Sequence, residues 1–473
     1  MAKSTKTSKA KPAAKTKAAK KTSSKKAAKK KPAAKKASEK KVAAKKPAAK
    51  KVAKKKAPAK KAATKKPTAK KKPATKEPTA KLFRFEEEAT PRVRYGGERI
   101  NAWPCYGRAP SRSSAMREAF APPVETRWTL RLNAPACASP AVGQDGLLYV
   151  PDREGGLYAF ELETGEGRYA LRTDPVREAS PAWPLVAQGL VPRDRVPVSS
   201  TPAVAHHHLL YGDAEGIFYC VRKSGGEVLW RKASPLSMAG RGGVAYPAPL
   251  IFDDHVFAAD ADGNVYAAAT RNGRAAFRTS IRGRPTAPLA LSPPRALLLV
   301  ACDPLFPGEP RLLHGLDAWE GQALWKLELP GRAHAVACGR DFALCLSDGG
   351  LTAAYLDDGA LAWSLPEPTG TALCLAGPRA FVGGAQGVTA LDLPSQTVRW
   401  AQPELGAVHG LALADRVLWI HAEGGLAALD ADTGKVLAKP RLPGTPVGQP
   451  VFAGGLLIVA TDAGELRALG PRG

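Results

Sequence analysis

The 473-residue sequence predicts an all-β fold: an eight-bladed β-propeller of four-stranded antiparallel blades, closed by an N-terminal strand and preceded by a disordered basic tail. Three observations predict it. Residues 1–81 hold 33 lysines, no arginine, no aromatic residue and only two acids, Glu39 and Glu77. From residue 125 onward a strand–turn–strand unit recurs about every forty residues. The last copy of that unit lacks its outer strand, and a matching orphan strand stands upstream of the first copy.

The tail, residues 1–81, carries about +31 in a chain whose formal charge is +29, so residues 82–473 sum to about −2. It repeats a crude unit: KPAAK at Lys11–Lys15, KPAAKK at Lys31–Lys36, KVAAKK at Lys41–Lys46 and KPAAKK at Lys46–Lys51. Apart from Ala and Met1, its only aliphatic side chains are Val42 and Val52, too few to offset chain entropy, so disorder is expected. A long run of like charge is usually an interaction tail. Lysine is a point charge that meets phosphates without reading bases, so the expected partner is nucleic acid, bound without sequence preference. The contacts are assigned to Lys11, Lys15, Lys31, Lys35, Lys36, Lys45, Lys46, Lys50, Lys51, Lys54, Lys55 and Lys56. The alternative is a solvated solubility device. In composition the tail resembles the Lys/Ala/Pro-rich tails of linker histones and the histone-like basic proteins of bacteria.

Residues 82–124 read as a linker and lead-in segment. No apolar stretch follows the basic N-terminus as in a secretion signal, and no later run has the length of a membrane span. The seven cysteines (105, 137, 220, 302, 338, 345, 374) are scattered, with no C-x-x-C and no adjacent pair, which predicts free thiols in a reducing cytoplasm.

Residues 125–473 carry the repeat. Clear copies are Leu351–Trp363, Val388–Trp400 and Leu426–Ala438; earlier ones are Leu157–Tyr169, Phe218–Trp230, Val265–Phe277 and Leu313–Trp325. Each is an alternating strand, a turn such as Asp432–Thr433–Gly434, and a second strand; a hairpin such as Pro140–Val150 lies upstream. Turn signals every eight to twelve residues, without a long 3.6-residue period, predict all-β repeats rather than helical ones. The final copy, Gly464–Gly470, stops before its Trp-bearing strand. Glu125–Leu132 supplies it, with Trp128 standing where Trp230, Trp325, Trp363 and Trp400 stand in other copies. Seven full copies and this split one make eight blades, and closure removes the exposed edge. These tryptophans are expected to pack between blades rather than to stack a ligand.

The wording x-Y-A-L-D-x-x-T-G-x-x-x-W resembles the pyrroloquinoline-quinone (PQQ)-type β-propeller repeat, and Trp103–Pro104–Cys105–Tyr106–Gly107 resembles its W-P-x-F/Y-G lead-in. That resemblance implies two known roles. Quinoprotein dehydrogenases of this family hold the quinone between a Trp floor and an adjacent-cysteine disulfide, beside calcium bound by carboxylates and amides. This chain has no adjacent cysteines, and its turn acids (Asp260, Asp262, Asp348, Asp357, Asp358, Asp430, Asp432, Asp462) are expected to bond their own backbones. The other role is the non-enzymatic propeller of the outer-membrane barrel-assembly lipoprotein. That role needs a signal peptide and a lipid-bearing cysteine, and Cys105, the first cysteine, follows no apolar run.

No phosphate loop G-x-x-x-x-G-K-S/T, G-x-S-x-G elbow or H-E-x-x-H helix occurs. His206, His207 and His208 are read as a solvated turn, since consecutive residues on a strand point to alternate faces and cannot share one ion. Thr173–Pro197, with Trp183 and Arg193, and the Pro-rich Cys302–Arg311 depart from the repeat and are candidates for a protein contact. The expectation is therefore a non-enzymatic, monomeric, cytoplasmic and nucleoid-associated scaffold. It needs no cofactor, metal or membrane, and its protein partner is unknown.

Overall fold

The structure is a computed structural model. It describes residues 102–173, 188, 196–198, 200–233 and 248–472, and a strand pair, Arg94–Tyr95 with Glu98–Arg99. The lysine-rich tail and most of Thr173–Pro197, including Trp183 and Arg193, lie outside the described residues.

The repeat folds into eight antiparallel sheets, one per blade. The first is Ala141–Val142, Leu147–Pro151, Gly156–Glu161 and Gly167–Arg172. Six further blades follow in chain order, the seventh ending at Val436–Ala438. The eighth is built from both chain ends: Pro446–Ala453, Leu456–Thr461 and Glu465–Pro471 from the C-terminus, and Val124–Arg131 from the N-terminus. The closing strand thus falls within one residue of its sequence-based limits, and Trp128 pairs with Ala468. The inner strands are buried on both faces, as in Phe342–Ser347, and their successive side chains enter the two cores that form between adjacent blades. Val142, Leu148 and Val150 of blade one, for example, share a cluster with Phe452, Ile458 and Leu466 of blade eight.

The outer strands obey one register. Tyr169, Trp230, Phe277, Trp325, Trp363, Trp400 and Ala438 pair with Ala159, Cys220, Ala267, Gly315, Ala353, Ala390 and Ala428, and a register shift follows each of these pairs. Trp128–Ala468 shows the same shift, so the two-ended blade is a true copy. A bulge bends the strand and re-aims a side chain. Here it turns the aromatic ring onto the next blade. The indole N–H of Trp128 donates to Leu162 O (2.9 Å), Trp230 to Thr270 O (2.8 Å), Trp325 to Leu356 O (3.1 Å) and Trp400 to Ala431 O (3.1 Å). The rings cover the turn glycine of the following blade: at Gly434 (φ 73°) a Cβ would come within 2.6 Å of the Trp400 ring. Glycine is required there by both conformation and contact. Among the described residues Trp363 makes no such indole bond, and the next turn carries Gln396 (φ 57°) in place of glycine.

Candidate functional site

In a propeller the axis is where inner strands from every blade converge. Here the chain's own lead-in segment fills one end of it. Trp103 is fully buried and its carbonyl accepts from Val142 N in blade one. Pro104 O accepts from Val204 N (blade two), Pro110 O from Leu291 N (four), Ser111 O from Cys338 N (five), Ser113 O from Leu375 N (six) and Ser114 O from Leu413 N (seven). Blade three is reached by Arg112, whose Nη2 donates to Ala248 O and Pro249 O (both 3.1 Å), while its Nε donates to Leu289 O at the start of blade four (2.7 Å). Blade eight contributes Phe452, against Trp103 and Phe120 (centroids 6.0 and 5.3 Å). It also contributes Gln449, whose carboxamide oxygen accepts from Gly107 N and Trp103 Nε1. The segment is therefore a plug whose carbonyls meet blades one, two, four, five, six and seven in chain order, with blade three held by the Arg112 side chain and blade eight packed on Trp103. It meets the inner strands near their C-terminal ends, on the side of the hub that carries the inner hairpins.

Arg112 is 2 % exposed. Burial pulls its pKa down, and the neighbouring Cys105 and Tyr106 act in the opposite sense. A buried guanidinium is tolerated only when its donors are used. Four carbonyls use them here, including Tyr106 O on Nη1. Burial also pushes the Cys105 thiol up, which leaves it an inert neighbour.

The residues present do not fit a bound quinone and calcium. All seven cysteines are free, six are buried, and no two are adjacent in sequence. Among the described residues no three His, Cys, Asp or Glu side chains gather as metal ligands would. Of the turn acids, Asp260, Asp358 and Asp430 bond their own turn amides as expected (3.0 Å to Asp262 N, 2.9 Å to Ala360 N and 2.8 Å to Thr433 N). Asp348, Asp357 and Asp432 instead pair with His334, Arg295 and both Arg379 and Arg416.

Two features were not read from the sequence. Asp152, Asp213 and Asp260, each buried after the second strand of blades one to three, accept from the hydroxyls of Tyr158, Tyr219 and Tyr266 (2.8, 2.9 and 2.5 Å). Burial pushes Asp213 up to about 6, against bonds from Ile217 N, Tyr219 and Glu215 N. The D-x-x-x-x-x-Y spacing common to the three blades would have shown it. The second is the shape of blade four. Its second strand, Leu297–Pro304, has eight residues where the others have five or six, and Gly283–Pro285 adds a strand beside it. The Cys302–Arg311 bulge is thus a lengthened hairpin, braced by Asp303 with Arg311 (3.1 Å) and Arg332 (3.6 Å), with Phe306 65 % exposed at its tip.

The twelve tail lysines assigned to nucleic acid lie outside the described residues, whereas the five tryptophans sit at blade seams. His206 and His207 form an exposed turn and His208 starts a strand.

The repeat, its register and the two-ended closure define an eight-bladed β-propeller, and a family model over part of the chain supports a PQQ-type repeat. The family described as outer membrane protein assembly factor BamB matches residues 193–334 and 384–472. Among solved structures, BamB from Moraxella catarrhalis aligns with TM-score 0.55 at 13 % identity, over 73 % of this chain and 97 % of its own. The quinohemoprotein alcohol dehydrogenase ADHIIG from Pseudomonas putida HK5 aligns with TM-score 0.60 at 12 % identity, over 78 % of this chain and 80 % of its own. A computationally designed protein, Ika8, aligns with TM-score 0.58 at 14 % identity, over 73 % and 99 %. At such identities the likeness is one of fold. No curated protein matches the sequence.

Proposed function

We propose that this protein is a non-enzymatic propeller scaffold held on nucleic acid by its lysine-rich N-terminal segment. The observation that carries the proposal is the partition of charge: about +31 on residues 1–81 and about −2 on all the rest. A segment of that composition binds phosphates through counterion release, whatever the bases. The propeller supports the scaffold half of the reading. One end of its hub is filled by its own plug, its aromatic series lies at blade seams, and the residues present do not match the quinone set. The blade-four hairpin, stiff and apolar at its tip, is the protein-contact surface in this reading.

The match to the BamB family favours a second reading, an envelope-associated propeller. Cell fractionation separates the two. The tether predicts that the protein co-sediments with the nucleoid and is released by nuclease. A membrane pool insensitive to nuclease would favour the envelope and overturn the tether.

A further inference from the structure

Every blade ends in an outer strand that has no partner on its far side among the described residues. Such an edge presents unpaired backbone donors and acceptors, a template for one more strand. Proteins guard these edges with charged side chains or by keeping the strand very short. Six of the eight outer strands here carry charge: Arg168 in blade one, Arg231 in two, Arg278 in three, Lys326 in four, Arg399 in six and Arg127 in eight. The outer strand of blade seven has no charge but spans only three residues, Val436–Ala438, with Lys439 and Pro440 directly after it.

Blade five has neither guard. Its outer strand, Leu361–Leu365, is five residues long and reads LAWSL. Leu361 is 54 % exposed, and Ser364 is exposed as well. Ser364 follows Trp363 at the position that Arg231, Arg278 and Lys326 hold after Trp230, Phe277 and Trp325. The charge lies at the two ends of the strand instead, and it is negative. Asp358 precedes it and accepts from Ala360 N (2.9 Å); Glu367 follows it and accepts from Thr369 N (3.2 Å). These backbone bonds hold both carboxylates beside the strand ends, and neither forms an ion pair among the described residues. A second copy laid antiparallel on this edge would bring carboxylate against carboxylate at both ends. A strand with cations at its ends meets an opposite charge at each.

We propose that Leu361–Leu365 is an acceptor edge for strand addition, and that its occupant is an extended segment of a partner protein, aliphatic in the middle and carrying Lys or Arg at both ends. Main-chain hydrogen bonds to the open edge supply the affinity, and Leu361 supplies apolar contact. Asp358 and Glu367 select the basic ends. The inference rests on neither the lysine-rich segment nor the blade-four hairpin.

The test uses the full chain and a labelled peptide, KKVTVTVKK, followed by fluorescence anisotropy. The peptide should bind, and binding should slow hydrogen exchange of the Leu361–Leu365 amides. Ser364→Lys installs the guard that blades two, three and four already carry, so the thermal midpoint should stay in place. It should weaken binding by roughly tenfold or more, since it sets like charges against each other at the contact. Ala401→Lys, at the same position after Trp400 in blade six, should leave binding unchanged. The neutral peptide QQVTVTVQQ should bind more weakly than the basic one. The basic peptide methylated on all its central amide nitrogens should not bind, because it can no longer donate to the edge. Binding that survives this methylation, exchange at Leu361–Leu365 that the peptide does not slow, or equal losses for Ser364→Lys and Ala401→Lys overturn the proposal. A dimer of the full chain in sedimentation equilibrium that Ser364→Lys dissolves makes the occupant a second copy and overturns it too.

Discussion

Trp128→Ala is the most informative single change, because it tests closure of the ring at one residue. Trp128 contributes three things to the seam between blades eight and one. It fixes the register of Val124–Arg131 against Glu465–Pro471. It donates its indole N–H to Leu162 O at 2.9 Å. Its ring lies over Gly165, where a Cβ would stand 3.0 Å from the ring. Truncating a buried large aromatic costs about 3–5 kcal/mol. Trp128 is half-buried, so the lower end applies, about 3 kcal/mol, of which the lost hydrogen bond accounts for about 1 kcal/mol. Trp363→Ala is the matched control, since Trp363 is equally placed but makes no indole bond among the described residues; about 2 kcal/mol is expected. Urea unfolding followed by circular dichroism reads both. A cost below about 1 kcal/mol for Trp128→Ala, or one smaller than for Trp363→Ala, refutes the seam and the count of eight.

Three further outcomes follow from the geometry. Gly434→Ala should lower the unfolding midpoint at every pH, because φ 73° and the Trp400 ring both reject a side chain; differential scanning calorimetry checks it. Arg112→Met should destabilise by about 3–5 kcal/mol by leaving the carbonyls of Ala248, Pro249 and Leu289 buried without donors, and hydrogen exchange should show the plug opening first. Burial holds His421 down to about 3 and His314 to about 4, so both are neutral in the fold. Their contribution is complete above about pH 6.5 and is lost as pH falls, each costing about 2–3 kcal/mol by pH 4.5. His421→Gln should flatten that acid slope in denaturant melts.

Much of the fold was legible because it is periodic. The aromatic that ends each copy, the turn glycine and the missing last strand recur at fixed spacing, so eight blades and the closing role of Trp128 followed from counting. The plug was not legible. Its work is done by the carbonyls of Pro104, Pro110, Ser111, Ser113 and Ser114, and backbone acceptors leave no trace in side-chain pattern. Arg112 looked like any surface arginine, since its partners lie 136, 137 and 177 residues away. The blade-four insertion was visible as a Pro-rich departure, but the extra strand Gly283–Pro285 that stiffens it is set by tertiary pairing. Likewise His206 and His207 form the expected turn while His208 begins a strand, and the charged side chains around them come from three blades.

The central claim is that the lysines, and not the propeller, hold nucleic acid. Its direct test is the salt dependence of binding to labelled random-sequence duplex DNA, with the full chain and with residues 82–473 side by side. Each phosphate neutralised adds about −0.9 to the slope of log K against log salt. With about ten lysines engaged, the full chain should lose several orders of magnitude in affinity between about 50 and 200 mM salt, and residues 82–473 should bind weakly throughout. Equal affinity for the two proteins, or a flat salt response of the full chain, contradicts the account.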